Sequence, residues 1–188
     1  MVSLFDNMSL VTEAEVQRML SLVDEQRRKE ALCYKHLFGQ FTCLKSWLML
    51  KELLDPLGII DMEMRHNEYG KPFLVHHPNV HFNLSHCKNG IVVAVDNSPI
   101  GIDIESFRHA NDALIRHTMN DDELAIIQSA QDPNIAFTSL WTQKEAVLKL
   151  RGTGISTDLH RALDGNGYRL ETHICRKKSY AWSVAYSD

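Results

Sequence analysis

The sequence of 188 residues lacks several features that would define its class at once. It contains no apolar run of the about 20 residues that a transmembrane helix needs. Its first residues, Met1–Asp6, show neither a basic segment nor a long apolar core, so no signal peptide is expected. The four cysteines form no CxxC pair and no zinc-binding spacing. These absences predict a cytoplasmic protein with reduced, mostly buried thiols and no membrane partner.

An excess of positive charge is also absent. The chain has 20 Lys and Arg residues against 24 Asp and Glu residues, which gives a net charge of -4. A general nucleic-acid-binding protein usually carries a basic excess, so we expect no nucleic-acid partner. A small phosphorylated ligand stays compatible with this charge, provided that the basic groups are concentrated in one pocket.

The first part of the sequence predicts helices. Thr12 precedes an amphipathic segment that ends near Val23, which is typical of a capped helix. A longer helix is predicted from about Glu25 to Leu54, before the stop signal 55–58. One apolar stripe marks this long helix, formed by Leu37, Phe41, Leu44 and Leu48.

Strands, helices and strands follow in that order. Strands are predicted at 80–85, 91–95 and 100–105, helices near 121–130 and 133–150, and a last strand at 180–186. This succession indicates an α+β fold with two similar halves. We place the two halves at residues 1–100 and 101–188.

Two acidic residues stand on one face of a predicted strand. In Ile100–Glu105 the three isoleucines alternate with Gly101, Asp103 and Glu105. Alternation puts the isoleucines on a core face and both carboxylates on the other, about 6.6 Å apart at Cα. Such a pair can converge on one hard cation. The alternative is a half-buried strand whose acidic face is solvated, and the motif alone favours that alternative.

A second motif lies on the last predicted helix. In Trp141–Lys149, Glu145 and Lys149 stand one turn apart on the same side. The simpler interpretation is a surface salt bridge between them. The functional interpretation makes Glu145 a third metal ligand and Lys149 a cation that neutralises a phosphate.

Two further segments carry groups that can contact phosphate. Ser85 and His86 end a predicted strand, where they could reach a pyrophosphate. The turn 69–72 presents Lys71, whose position Pro72 helps to fix. Taken singly, a histidine or lysine in such a place is more often an ordinary surface group.

The four segments together resemble the 4'-phosphopantetheinyl transferase superfamily, in its longer, surfactin-synthetase-activating (Sfp-type) branch. The resemblance lies in a Gly-x-Asp-x-Glu strand, a gap of about forty residues, and Trp-Ser/Thr-x-Lys-Glu-x-x-x-Lys. Here these segments are 101–105 and 141–149, and the matching upstream segments are 83–86 and 70–72. Gly152-x-Gly154 matches as well.

The resemblance implies a fold and a site. The fold would be two subdomains related by a pseudo-twofold, each a small antiparallel sheet packed with helices. Mg²⁺ would bind Asp103, Glu105 and Glu145, and the pyrophosphate of coenzyme A would contact Lys149 and His86. Ser85, Lys71 and Pro72 match positions that hold the nucleotide part, with Lys71 at its 3'-phosphate. The implied reaction moves phosphopantetheine onto a serine of an acyl or peptidyl carrier protein and releases 3',5'-ADP.

Some roles stay open at this point. Glu145, a metal-bound water and Glu123 are alternative bases for the carrier serine. The basic residue that the family often carries in the long helix is missing at 41–44, and Arg27, Lys35 or Lys45 could replace it.

Other kinds of protein also stay open. A non-catalytic module of the same fold that binds coenzyme A or a carrier is one alternative, and a metal-dependent hydrolase is another. Because two fused halves can form the site between them, we expect a monomer.

Overall fold

The computed structural model describes residues 1–153 and 159–188, so Gly154 of the predicted Gly-x-Gly pair lies outside the described residues. The helices are α1 Glu13–Leu20, α2 Glu25–Leu32, α3 Leu37–Leu54, α4 Asp112–Thr118, α5 Asp121–Ser129 and α6 Pro133–Arg151. The strands are β1 Val2–Phe5, β2 Met64–His66, β3 Pro72–Leu74, β4 His81–Cys87, β5 Gly90–Asp96, β6 Ile100–Ser106, β7 Tyr168–Cys175 and β8 Tyr180–Ser187.

Two antiparallel sheets of three strands, joined by a small hairpin, form the framework. The first sheet has the order β1-β5-β4 and the second β6-β8-β7, while β2 pairs with β3. Helix α3 packs on β5, and α6 packs on β6 and β8. In each half the chain runs through an edge strand, three helices, a second edge strand and the central strand. The predicted α+β fold is confirmed, whereas the division at residue 100 stays a prediction.

The two sheets meet where β4 lies along β6. The side-chain oxygen of Asn83 on β4 accepts a hydrogen bond of 2.9 Å from the backbone N–H of Ile102 on β6. Asn83 is buried, so this bond satisfies polar groups that would otherwise lie unpaired between the halves. Residues of both halves thereby come to lie around Asp103, the next residue of β6.

The single long helix predicted from Glu25 to Leu54 is wrong, because the chain breaks between α2 and α3. The predicted stripe lies wholly in α3, while α2 is strongly charged and buries Ala31 alone among its residues. His36 has an extended backbone, and the Gln40 side chain donates to the carbonyl of Tyr34 in the connecting turn. The break lets α2 pack against α3.

Other local predictions are confirmed. The Thr12 side chain accepts a hydrogen bond from the backbone N–H of Glu15 at the start of α1. The predicted strands correspond to β4, β5, β6 and β8, and the two predicted helices to α5 and α6.

Within the described part of the chain, no helix has the length and apolar character that crossing a membrane would need. All four cysteines are free thiols. The expectation that they are mostly buried is wrong, because Cys87 is buried but Cys33 is exposed and the other two are half-buried. Cys33 lies in the exposed turn after α2, which the prediction of one continuous helix overlooked.

Candidate functional site

The acidic face of β6 is covered by α6 rather than by solvent. The isoleucines of β6 are buried in the core, as predicted, and Asp103 on the opposite face is only 4% exposed. Gly101 permits this cover, because a Cβ atom there would collide with backbone atoms of Ala146 and Leu150 in α6. A glycine in a strand often marks such a close approach of two backbones. A solvated acidic face is therefore excluded.

Lys149, Asp103 and Ser85 form one hydrogen-bonded group. The Lys149 ammonium lies 2.6 Å from Oδ1 of Asp103 and donates to the Ser85 hydroxyl at 3.1 Å. The Ser85 hydroxyl lies 2.8 Å from the same carboxylate oxygen. The ion pair of Lys149 thus runs to β6 and not along the helix to Glu145. Three predicted site residues from two halves of the chain are in direct contact.

The other carboxylate oxygen of Asp103 is a buried acceptor. Within the described residues, Oδ2 has no hydrogen-bond partner. A buried carboxylate oxygen without a partner carries a large desolvation cost, and a bound cation or donor would remove it. The geometry therefore leaves one oxygen of Asp103 for a ligand while Lys149 holds the other.

Glu145 and Glu105 add two acidic side chains to this place. Burial raises the pKa of the Glu145 carboxyl, and the nearby charge of Asp103 raises it further. Burial and the Asp103 charge likewise raise the pKa of Glu105, while a hydrogen bond from Trp141 opposes this change. The three carboxylates repel one another in a partly buried site, and a bound cation would relieve this repulsion. Carboxylate oxygens are also ligands that Mg²⁺ prefers. The donor set therefore fits a hard divalent cation.

The carboxylates are not arranged as a finished metal site. Among residues 1–153 and 159–188, no three His, Cys, Asp or Glu side chains already stand in metal-binding geometry. The ammonium of Lys149, close to Asp103 Oδ1, supplies positive charge at this point instead.

Replacing Glu145 by glutamine should stabilise the ligand-free protein increasingly as the pH rises. An acid with a raised pKa binds its proton more tightly in the folded protein than in the unfolded chain. The free energy of unfolding therefore falls as the pH rises from the ordinary value of 4.5 through the raised pKa, and then stays level. Thermal unfolding from pH 5 to pH 8 should show Glu145→Gln gaining about 2–4 °C over the wild type at the upper end.

Magnesium supplies the second arm of this experiment. The ion should raise the unfolding temperature of the wild type more than that of Glu145→Gln, because the substitution removes one of the three carboxylates that fit a divalent cation. Glu52→Gln, an exposed carboxylate of α3, is the control and should change neither dependence. A difference between wild type and Glu145→Gln that does not vary with pH would contradict the unfavourable buried charge.

His86 lies at the border of a larger cleft. Its side chain is exposed at the end of β4, with the Phe38 ring 6.1 Å from its own. The surrounding protein and the charge of Lys149 lower its pKa, so the neutral imidazole predominates near pH 7. The cleft has a volume of about 1170 Å³ and also contains Arg27, Thr42 and Trp47 in its walls.

A smaller pocket of about 280 Å³ adjoins this cleft and shares Pro72 and Leu84 with it. Lys71, Glu145 and Lys149 line the smaller pocket. The Lys71 ammonium donates to the backbone carbonyls of the protein itself, at Ile100 and Leu150. Of the other predicted residues, Ser85 and Asp103 contact Lys149 in the wall of this small pocket.

Of the three basic residues considered for the nucleotide, Arg27 lines the large cleft. Its guanidinium lies 3.8 Å from the centre of the Trp47 ring and 2.7 Å from Glu30. Lys45 instead places its ammonium over the Phe5 ring, and Lys35 is exposed in the turn before α3. The break between α2 and α3 brings Arg27 to this wall, which the prediction of one helix could not show.

Lys144 and Glu123 have a structural role that the sequence did not reveal. Lys144 is fully buried, and its ammonium lies 2.7 Å from Glu123 and 2.7 Å from the carbonyl of Leu159. The second carboxylate oxygen of Glu123 accepts from the backbone N–H of Asn120. Glu123 therefore joins α5 to α6, and both its oxygens are occupied. Nothing in the local sequence indicated that Lys144 would be fully buried.

A lysine held between a carboxylate and a hydroxyl, with two more carboxylates nearby, has the chemistry of an enzyme that transfers phosphate-containing groups. A sequence model of the 4'-phosphopantetheinyl transferase superfamily matches residues 99–187. The chain is 31% identical to the 4'-phosphopantetheinyl transferase psf-1 of Bacillus pumilus over 185 residues, or 92% of this chain and 79% of the relative.

Further relatives agree. A 4'-phosphopantetheinyl transferase of Bacillus subtilis is 30% identical over 157 residues, which are 79% of this chain and 69% of the relative. The 4'-phosphopantetheinyl transferase gsp of Aneurinibacillus migulanus is 35% identical over 140 residues, 72% of this chain and 58% of the relative. The chain belongs to the 4'-phosphopantetheinyl transferase superfamily. The predicted family, α+β fold and transferase activity are thereby confirmed.

Proposed function

We propose that this enzyme moves the 4'-phosphopantetheine group from coenzyme A to a serine of an apo acyl or peptidyl carrier protein. The serine Oγ forms a bond to the pantetheine phosphorus, the pyrophosphate bond breaks, and 3',5'-ADP leaves with the electron pair. The observation that carries the proposal is the Lys149 ammonium, held 2.6 Å from Asp103. The other oxygen of that carboxylate has no partner among residues 1–153 and 159–188.

Asp103, Glu105 and Glu145 are the residues that would hold Mg²⁺. The bound ion would supply positive charge to the pyrophosphate oxygens. Lys149 forms an ion pair with Asp103, and its contact with Ser85 keeps it at the same place. Phosphoryl transfer requires chiefly positioning and neutralisation of charge, which these side chains supply. His86 would donate a hydrogen bond from the side of the large cleft.

Glu145 is the proposed base for the carrier serine. Glu145 lines the small pocket together with Lys149, which supports a role as the group that accepts the serine proton. Glu123 is less suited, because Lys144 and Asn120 occupy its two oxygens.

The nucleotide is proposed to occupy the large cleft. His86 lines the large cleft, Pro72 lines both cavities, and Ser85 directly precedes His86 on β4. Arg27 supplies a guanidinium farther along the wall of the cleft. Trp47 offers an aromatic face beside that guanidinium. Three properties stay predictions: that the enzyme is cytoplasmic, that it is a monomer and that it has no nucleic-acid partner.

The proposed reaction has a direct test. Purified protein, coenzyme A and MgCl₂ are incubated with a panel of apo acyl and peptidyl carrier proteins, and each carrier is weighed by intact mass spectrometry. We expect one phosphopantetheine mass on at least one carrier and an equal amount of 3',5'-ADP. A carrier whose acceptor serine is replaced by alanine is the control and should gain no mass.

Two other outcomes would decide against this proposal. Unchanged mass on every carrier, together with no 3',5'-ADP, would favour a module that binds without catalysis. Release of 3',5'-ADP without a gain of mass on any carrier would favour a hydrolase.

A further inference from the structure

The hairpin turn between β2 and β3 contacts the end of a helix that belongs to the other half of the chain. Two backbone N–H groups, of Tyr69 and Lys71, donate to the side-chain oxygen of Asn67 at 3.0 and 2.8 Å. These bonds close the turn around the Asn67 side chain, as in the turns that asparagine commonly forms. The side-chain nitrogen of Asn67 then donates to the carbonyl of Gly152, at 3.1 Å.

Lys71 makes the second contact with this helix end. Its ammonium donates to the carbonyl of Leu150 at 3.1 Å and to the carbonyl of Ile100 at 3.1 Å. The last carbonyls of a helix have no partner within the helix and carry partial negative charge. An ammonium is well suited to satisfy them. Lys71 therefore joins the end of α6 to the beginning of β6.

The space around Gly152 fits this contact. Gly152 has a φ of +68°, and a Cβ atom there would lie 3.1 Å from Cδ of Lys71 and 3.5 Å from the side-chain nitrogen of Asn67. A larger residue at 152 would be strained by its backbone conformation and would press on both side chains.

The elements joined by Lys71 are those that carry the reaction centre. Leu150 directly follows Lys149, and Ile100 lies three residues before Asp103 on β6. The turn and α6 also form walls of the same small pocket, with Glu145 and Lys149. A shift of the helix end would change the distance between Lys149 and Asp103.

We propose that Lys71, with Asn67, is a positioning residue that fixes the end of α6 on β6 and so sets the contact of Lys149 with Asp103. The role differs from the nucleotide contact that family resemblance implied, because the ammonium already has two backbone acceptors. The kinetic tests of this proposal rest on the proposed function, whereas its structural test by hydrogen exchange does not.

Lys71→Met keeps much of the side chain but removes the ammonium. We expect kcat to fall about tenfold or more, because small displacements of catalytic groups are costly. The loss should be equal with coenzyme A and with 3'-dephospho-coenzyme A, which lacks the 3'-phosphate. Asn67→Ala should act in the same direction, and Lys177→Met, in an exposed turn, should have no effect. A loss seen with coenzyme A but absent with the dephospho substrate would overturn the proposal in favour of a phosphate contact.

A double-mutant cycle tests whether Lys71 acts through Lys149. In a Lys149→Ala background, Lys71→Met should cause little further loss, because the group that it positions is gone. Lys71→Arg, which keeps the charge, should recover part of the activity. Equal fold losses in both backgrounds would show that Lys71 acts independently of Lys149 and would overturn the proposal.

Hydrogen exchange supplies the structural test and needs no activity. Amides in the last turn of α6 should exchange faster in Lys71→Met than in the wild type, while those in its first turns stay unchanged. Unchanged amide exchange rates at the end of α6 would overturn the positioning role of Lys71, even if transfer to a carrier protein is confirmed. Should Lys71→Met fail to fold, Asn67→Ala removes a neutral hydrogen bond and carries the same exchange and kinetic measurements.

Discussion

Replacing Asp103 by asparagine will lower phosphopantetheine transfer by about a hundredfold to a thousandfold. The substitution preserves the shape of the side chain but removes the negative charge that Lys149 contacts at 2.6 Å. It also replaces one carboxylate oxygen by an amide nitrogen, which cannot bind a cation. Loss of one preorganised electrostatic group at a reaction centre typically has a cost of this size. Steady-state transfer to a carrier, followed by mass spectrometry, measures the effect.

The fold of this variant should persist. Asp103 is buried, but Lys149 is partly exposed and can turn toward water when its partner loses charge. Circular dichroism and thermal unfolding should therefore show a folded protein, and higher MgCl₂ should restore little activity. Asp164→Asn, which removes an exposed partner of Arg161, is the control and should keep full activity. Activity within threefold of the wild type in Asp103→Asn would exclude Asp103 as an essential ligand.

The second large effect is expected from Gly101→Ala. A methyl group at this position would overlap backbone atoms of Ala146 and Leu150, and Cα of Leu150 would lie 2.9 Å away. Backbone atoms cannot move aside as a side chain can, so the whole helix α6 must shift. Overpacking in a core usually costs about 1–3 kcal/mol, and a clash with backbone belongs to the upper part of this range. The free energy of unfolding, from urea titration, should fall by about 3 kcal/mol.

Activity should fall with stability in this variant, because Glu145 and Lys149 move with the helix. Gly39→Ala is a matched control, since its added methyl group would lie 2.7 Å from Cδ1 of Tyr34. The other near atoms are Cβ and Cγ of Tyr34, both at 3.0 Å, and Tyr34 lies in an exposed turn that can shift. Because alanine also favours a helix over glycine, a loss below about 1 kcal/mol is expected. Equal losses in the two variants would contradict the close backbone contact at Gly101.

The arrangement of the candidate site could be predicted in part because its signals are local. Alternation along β6 identified the core face, and one helical turn between Glu145 and Lys149 identified a common side. The sequence could not show that Lys149 forms its ion pair with Asp103 and not with Glu145. That pairing depends on how closely α6 approaches β6, which Gly101 decides through a contact between distant residues.

Long-range contacts also explain the failures. A charged segment such as α2 has helical propensity throughout, and nothing local in it marks the break before α3. Lys71 and Lys144 look like ordinary lysines in the sequence. Their backbone and carboxylate partners lie 15 or more positions away along the chain, and no spacing rule reaches that far.

The two halves of the chain meet where β4 lies along β6, and the proposed roles of their residues differ. The carboxylates and Lys149 belong to the second half, whereas Arg27, Trp47 and His86 belong to the first. If the nucleotide occupies the large cleft as proposed, the preference for one nucleotide donor can diverge by substitution in the first half while the acids of the second stay unchanged. Asn67 and Lys71 differ from these cleft residues, because both bond to residues of the second half. Redesign toward coenzyme A analogues should begin in the cleft and spare this turn.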